Sequence, residues 1–289
     1  MDDSANDRPV TRRRFLFGAT AAIGAGGALA LGYGLGPGRN LLDVTRHVVR
    51  IPGLPAELEG FRIAHVTDAH LGAFRDVHRD VLAALDALQP DLVACTGDLI
   101  NGRRHTDDFI RFYDAVGERS DWLFTTFGNW ERGSTGVRWA EDVRQLFNRH
   151  SGVLLEDEHL QLDNGLVVAG ADDPVTGHFE RNETFAGLPE APARIFLAHS
   201  PIAFDATSPP SPPTFDLCLA GHTHGGQIRL GPVAPVTPPG SGPYVYGFYD
   251  TPTGPAYVSR GIGTTGPPVR IMCRPELPVF DLVRAEPPA

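Results

Sequence analysis

Five short clusters in the 289-residue chain gather side chains that bind metals or move protons. They are Asp68-Ala69-His70, Gly97-Asp98, Gly128-Asn129-Trp130-Glu131, His199 and Gly221-His222-Thr223-His224-Gly225-Gly226. Carboxylate, imidazole and amide donors in this mixture suit first-row divalent metals, and a carboxylate such as Asp98 can bridge two of them. Paired ions roughly 3.5–4 Å apart clamp the attacking and leaving oxygens of a phosphoryl displacement and lower the pKa of bound water. A lone His-x-His or Asp-x-His motif carries little weight. Core histidines with satisfied rings and helix-capping aspartates would explain any one cluster, but five clusters would need five such coincidences.

The elements that must carry these clusters are apolar runs of strand type: Phe61 to Thr67, Leu92 to Thr96, Trp122 to Phe127, Ile195 to Ala198 and Leu217 to Ala220. Each ends in a polar cluster. Asp68, Asp98 and Asn129 are spaced 30 and 31 residues apart, about one β-α-β unit, so successive strands deliver them to one sheet edge. Val77 to Leu88 has helical spacing through Val77, Val81, Leu82, Leu85 and Leu88. Val137 to Phe147 reads as a second amphipathic helix that buries Trp139, Val143, Leu146 and Phe147. Near-continuous apolar strands imply an α/β fold with a covered sheet, whose functional groups collect beyond the C-terminal strand ends. Asp172 and Asp173 follow a sixth apolar run, Leu166 to Ala169, and either approach the site or make a turn with Pro174. One domain is expected over residues 44–284, with Pro-rich loops at Pro209 to Pro213 and Pro232 to Pro243.

A net charge of -10 argues against broad nucleic-acid binding, because polyanions are held by clustered Lys and Arg. Cys95, Cys218 and Cys273 are odd in number and lack C-x-x-C spacing, which predicts buried thiols. His65 is expected to pack inside a strand, and His47, His78, His150, His159 and His178 to lie on the surface. Arg260 and Arg270 either face substrate or pair structurally. Residues 1–40 stand apart: Arg12-Arg13-Arg14 precede Phe15 to Gly36, an uncharged stretch rich in Ala and Gly. This resembles a twin-arginine export signal, with Ala28-Leu29-Ala30 as a small-residue cleavage site; an uncleaved membrane anchor is the alternative. Both place the remaining chain outside the cytoplasmic membrane.

In order and composition the clusters resemble the calcineurin-like metallophosphoesterases, whose pattern is D-x-H, G-D, G-N-H-D/E, a later H, then G-H-x-H, here from Phe61 to about Leu282. Ala198-His199-Ser200-Pro201, Gly221 to Gln227 and Ser259-Arg260-Gly261-Ile262-Gly263 through Glu276 are similar to the exported or membrane-associated bacterial branch, which includes UDP-diacylglucosamine hydrolase-like enzymes. The resemblance implies two facing β-sheets flanked by helices, a four-layer α-β-β-α sandwich. It implies two divalent metals (manganese, iron or zinc), one on Asp68, His70, Asp98 and His224, the other on Asp98, Asn129, His199 and His222. Asp98 would bridge; Asp98, Asn129 and His222 are the expected catalytic residues, and a metal-bridging hydroxide the expected nucleophile. The implied substrate is a phosphomonoester, phosphodiester or pyrophosphate of a small molecule, nucleotide sugar or phospholipid head group; the alternative is a non-catalytic metal-binding envelope protein, and the anchor reading of residues 1–40 would add membrane association. One position departs: Trp130 stands where the family has a histidine that assists the leaving oxygen. Tryptophan offers one N–H and no titratable proton. Arg103 and His105 are the nearest substitutes in sequence.

Overall fold

The computed structural model describes residues 27–132, 137–149, 152–177, 179–205 and 214–286. The arginine run, His150, His178 and the Pro209 to Pro213 loop lie outside the described residues, as does the side chain of Trp139.

Two mixed sheets of six strands face each other. The first runs in the order β1 (Asp43–Pro52), β12 (Glu276–Ala285), β2 (Arg62–Val66), β3 (Leu92–Thr96), β4 (Trp122–Thr126), β5 (Val153–Leu154). Its β2–β5 pairings are parallel, whereas β12 runs antiparallel to β2 and parallel to β1. The second runs β10 (Gly247–Thr251), β11 (Gly254–Val258), β9 (Leu217–Ala220), β8 (Ala193–Leu197), β7 (Leu166–Gly170), β6 (Glu158–Gln161). Its central pairs are parallel, and antiparallel strands close both edges. The expected strand runs thus become β2, β3, β4, β8 and β9, with Leu166 to Ala169 becoming β7.

The near-continuous apolar strands arise because each central strand buries both faces. In β3, Leu92 and Ala94 enter the layer between the sheets, whereas Val93 and Cys95 face the helices. In β8, Ile195 and Leu197 share that inter-sheet layer, and Phe196 faces the opposite outer core. Helices α1 (Asp76–Leu88), α2 (Thr106–Gly117) and α4 (Val137–Arg149) cover the first sheet through Val77, Val81, Leu85, Phe109, Phe112 and Phe147. Two one-turn helices, α3 (Asn129–Arg132) and α5 (Arg181–Thr184), follow β4 and precede β8, respectively. All three cysteines are buried thiols.

His78 is corrected from surface to core. It is 0% exposed, because its position in the first turn of α1 turns it inward. Its Nδ1 accepts from Arg75 N–H at 3.0 Å, its Nε2 reaches Ala69 O at 3.4 Å, and its ring meets Phe74 and Phe112. His47 is half-buried among Phe248, Tyr257 and Phe280. His159 is also half-buried, with its Nδ1–H donating to Thr184 O. His65 is packed as expected. Residues 27–35 are helical; Gly34 O accepts from Arg270 N at 3.1 Å, and Tyr33 hydroxyl accepts from Arg274 Nε. Among the described residues no helix is long and apolar enough to cross a membrane.

Candidate metal centre

Asp68 and His70 follow β2, Asp98 follows β3 and Asn129 follows β4, so the first sheet presents four donors at one edge. His199 follows β8, and His222 and His224 follow β9 on the facing sheet. The strand-end loops are tied together by backbone bonds: Asp68 N–H donates to Gly97 O, His70 N–H to Asp98 O, and Gly221 N–H to His199 O.

These loops are sharply turned. Asp68 (φ 52°), His70 (φ 43°), Asp98 (φ 51°), His222 (φ 69°) and His224 (φ 51°) all adopt the left-handed region. Non-glycine residues enter it at a cost of order 1–3 kcal/mol each, and such outliers cluster at functional sites. Two glycines make room for the donors. A Cβ at Gly128 would lie 2.3 Å from Asp98 Oδ1, and one at Gly221 would lie 2.2 Å from Asp68 Oδ2.

All seven expected donors converge. Asp68, His70 and His224 form one buried group whose ligand atoms lie within 4.8 Å of one another, and Asp68, Asp98 and His199 form a second. Asp68 belongs to both groups, and Asp98 Oδ2 in the second sits 3.5 Å from His70 Nε2 of the first and 3.4 Å from His199 Nε2. Asn129 Oδ1 is 3.0 Å from both His199 Nε2 and His222 Nδ1.

The outer nitrogens of three histidines are spoken for. His70 Nδ1–H donates to Asn101 Oδ1 at 2.9 Å, His199 Nδ1–H to Thr96 O at 2.7 Å, and His222 Nε2–H to Pro239 O at 2.7 Å. Each bond fixes the tautomer that turns the other nitrogen's lone pair inward, the arrangement found behind metal-bound imidazoles. Inward nitrogens then crowd: His70 Nε2 lies 3.1 Å from His224 Nε2, and His199 Nε2 lies 3.1 Å from His222 Nδ1. Four imidazole nitrogens gathered beside two buried carboxylates make a mixed N/O set that fits divalent transition metals.

The charges follow from this packing. Burial raises the Asp68 pKa above the usual carboxylate range, against the pull of His199. Burial would raise Asp98 as well, but His199, His70 and the Trp130 N–H hold it below that range. His199 is raised well above its usual value, Asp98 and Asp68 outweighing burial. Burial depresses His224, helped by His70 and Arg270, and depresses His222, helped by His199.

Glu131, whose role the motif alone does not reveal, is fully buried and clamps two loops. Its carboxylate accepts N–H bonds from Asp98 (2.8 Å), Leu99 (2.7 Å), Ile100 (3.4 Å) and Gly128 (3.0 Å). Burial and the Asp98 charge push its pKa up to about 7. Asn101, Thr96 and Pro239, which orient the histidines, also lacked a sequence signal, since two of them act through main-chain oxygens.

Asp172 and Asp173 are structural: Asp172 pairs with Arg132, and Asp173 accepts from Ser200 Oγ and Thr176. Arg260 pairs with Glu276 and Asp43. Arg270, 0% exposed, donates to the carbonyls of Arg260, Gly261 and Gly263. Trp130 keeps the backbone role of its position, donating N–H to Asp98 Oδ1 at 2.8 Å. Its indole stands edge-on to His70 at 5.3 Å. Arg103 is exposed and pairs with Asp142, and His105 Nε2 accepts from Arg104 Nε.

The profile of calcineurin-like phosphoesterases matches residues 61–226. The uncharacterized metallophosphoesterase YkuE of Bacillus subtilis is 31% identical, covering 95% of this chain and 98% of its own length. Phosphodiesterase YaeI of Escherichia coli is 27% identical, covering 95% of this chain and 100% of its own. Uncharacterized metallophosphoesterase YkoQ of Bacillus subtilis is 27% identical over 83% of this chain and 90% of its own. A match over more than half the chain, on the same strand ends where the donors converge, means that this protein belongs to the calcineurin-like phosphoesterase family and is a phosphoesterase hydrolase.

Proposed function

We propose that the chain is an exported, binuclear metal-dependent phosphodiesterase that favours esters with good leaving groups. The observation that carries this is the set of three outward histidine bonds to Asn101, Thr96 and Pro239, which turn lone pairs inward beside Asp68 and Asp98. Asp68, His70, Asp98 and His224 would hold one metal, and Asp98, Asn129, His199 and His222 the other. When bound, such ions supply Lewis acidity and a hydroxide nucleophile near neutral pH. The protein's own contribution is positioning. Glu131 fixes the Asp98 and Gly128 loops, while Asn129 and Trp130 line the less buried side of the centre. Phosphodiester preference is supported by the name of the E. coli relative, a phosphodiesterase. Export is supported by Arg12-Arg13-Arg14 ahead of an uncharged stretch, with residues 1–40 as leader and 44–284 as catalytic domain.

Trp130 sets the leaving-group preference. A positioned acid is worth about 10²–10⁴-fold when the departing oxygen is basic, and indole has no such proton. The experiment is hydrolysis of phosphodiesters of graded leaving-group pKa by metal-reconstituted wild type, Asp98→Ala and Trp130→His. Wild type should cleave activated aryl esters, lose that activity on chelation, and decline steeply as the leaving group becomes more basic. Asp98→Ala should be inactive. Trp130→His should flatten the slope at unchanged metal content. Activity that survives chelation and the loss of Asp98 would overturn the reading.

A further inference from the structure

The hairpin region after β9 forms a cavity of about 430 Å³ against His224, with Ile228, Pro235, Val236, Pro238 and Pro267 among its walls. That volume lies within the range of small-molecule sites. The cavity adjoins the metal centre in two ways. His224 belongs both to the buried donor group and to the cavity wall. The loop carrying Pro238 is braced on the centre, since Pro239 O accepts the His222 Nε2–H at 2.7 Å.

The Gln227 amide and the Thr223 hydroxyl in the cavity wall are already engaged. The Gln227 amide donates to Thr265 O (3.0 Å) and Pro267 O (3.1 Å), and its oxygen accepts Thr265 N–H at 2.9 Å. The Thr223 hydroxyl donates to Val245 O and accepts Gly225 N–H. His224 is the one titratable side chain in the lining, and its Nε2 is turned toward Asp68 and His70. The Thr265 hydroxyl apart, what remains to meet a ligand is aliphatic and proline surface, held in place by the fixed φ of the prolines. Such a wall gains from apolar atoms and gives a sugar or nucleobase few hydrogen bonds in return for its lost water.

The outlet is apolar too. Leu230 (69% exposed), Val233 (57%) and Val236 (75%) project from the same segment. Ile228 bridges Ile271, bringing Met272, 66% exposed, alongside.

We propose that this cavity is a subsite for an unbranched alkyl or acyl chain carried by the phosphodiester substrate, so that the enzyme acts on amphiphilic rather than fully water-soluble esters. The inference rests on the phosphodiesterase reading above and names its substrate class.

The test is a series of p-nitrophenyl alkyl phosphodiesters with methyl, butyl, hexyl and octyl chains, below their micelle concentrations, on the metal-loaded protein. Wild-type kcat/KM should rise until the cavity is filled, by up to about fourfold per methylene, the equivalent of about 0.8 kcal/mol. Val236→Asp, on an exposed rim where the fold tolerates a charge, should flatten that rise. A chain-independent kcat/KM in wild type, or an unchanged rise in the variant, would overturn the proposal. Calorimetric titration with butyl and octyl phosphate separates it from the reading on which it rests: the octyl compound should bind more tightly and with the more negative heat-capacity change. If no ester is hydrolysed, the methyl one included, the phosphodiesterase reading fails and calorimetry alone decides the cavity. Equal affinities for the two alkyl phosphates would then refute it.

Discussion

At the level of single residues, Glu131 does the most work for the least visible signature. Four main-chain N–H groups from two loops end on one buried carboxylate, and those loops carry Asp98 and Asn129. Replacing it with Gln turns an amide N–H₂ toward two of those donors, leaving buried N–H groups without an acceptor at about 1–3 kcal/mol. Glu131→Gln should therefore lower the unfolding free energy read from urea denaturation by that amount and weaken metal affinity by about 10–100-fold, the usual effect of losing an outer partner of a metal ligand. Parallel denaturation and metal titration check it; an unaltered metal affinity would mean the loops hold their shape without the clamp. The donors themselves were legible, because Asp, His and Asn at strand ends announce their chemistry by type. Their supports were not. Thr96 and Pro239 act through carbonyl oxygens that every residue possesses, and Asn101 is unremarkable until the fold sets it against His70.

Among the elements, α1 illustrates how a polar residue can be misplaced by type alone. His78 is turned inward at the start of α1, where Val77, Val81, Leu85 and Leu88 are also buried. Burial, with Arg75 nearby, pushes its pKa down to about 4. An unfolded histidine titrates near 6.5, so as pH falls below that value the unfolded chain takes the proton first. Stability is then lost progressively down to about pH 4, by up to about 1.4 kcal/mol per pH unit. His78→Asn keeps an acceptor for the Arg75 N–H but does not titrate. It should cost stability at pH 7 through lost packing, yet reduce the fall in urea midpoint between pH 7 and 5. A fall as steep as that of wild type would assign the acid sensitivity to another group, His65 first, whose pKa burial pushes down to about 3. The central strands β2, β3, β4, β8 and β9 could be read in advance because both faces are apolar. β1 could not: six of its ten residues alternate between half-buried and exposed, and its partner β12 lies at the opposite end of the chain. Helix α2 buries Phe109, Phe112, Tyr113 and Val116 at helical spacing, a pattern of the same kind as that of α1.

For the molecule as a whole, the centre lies on the seam between the two sheets. Asp68, His70, Asp98 and Asn129 come from the first, and His199, His222 and His224 from the second. Elsewhere on that seam the sheets meet through apolar side chains such as Ile63, Phe124, Leu197 and Leu219. At the centre they meet through polar atoms instead: His70 Nε2 lies 3.1 Å from His224 Nε2, and Asn129 Oδ1 lies 3.0 Å from His199 Nε2, beside the buried carboxylates of Asp68 and Asp98. The folded chain also holds five donor residues at left-handed φ, a conformational cost that an unfolded chain does not bear. Cations bound there would relieve the crowding and link the sheets, whereas the unfolded chain has no assembled site to compete for them. Mass action then gives about 2.7 kcal/mol of stabilisation at a free metal concentration 100-fold above Kd. For a domain of this size each kcal/mol moves Tm by about 2–4 °C, so manganese or zinc should raise Tm by about 5–10 °C over chelator-treated protein. Asp98→Ala, which removes the carboxylate lying between His70 and His199, should abolish most of that rise while folding to a similar far-ultraviolet spectrum. Scanning calorimetry of both proteins, with and without metal, makes the comparison. An equal rise in Asp98→Ala would place the stabilising ions somewhere other than the seam, and the absence of any rise in wild type would mean that the sheets need no cation to hold them together.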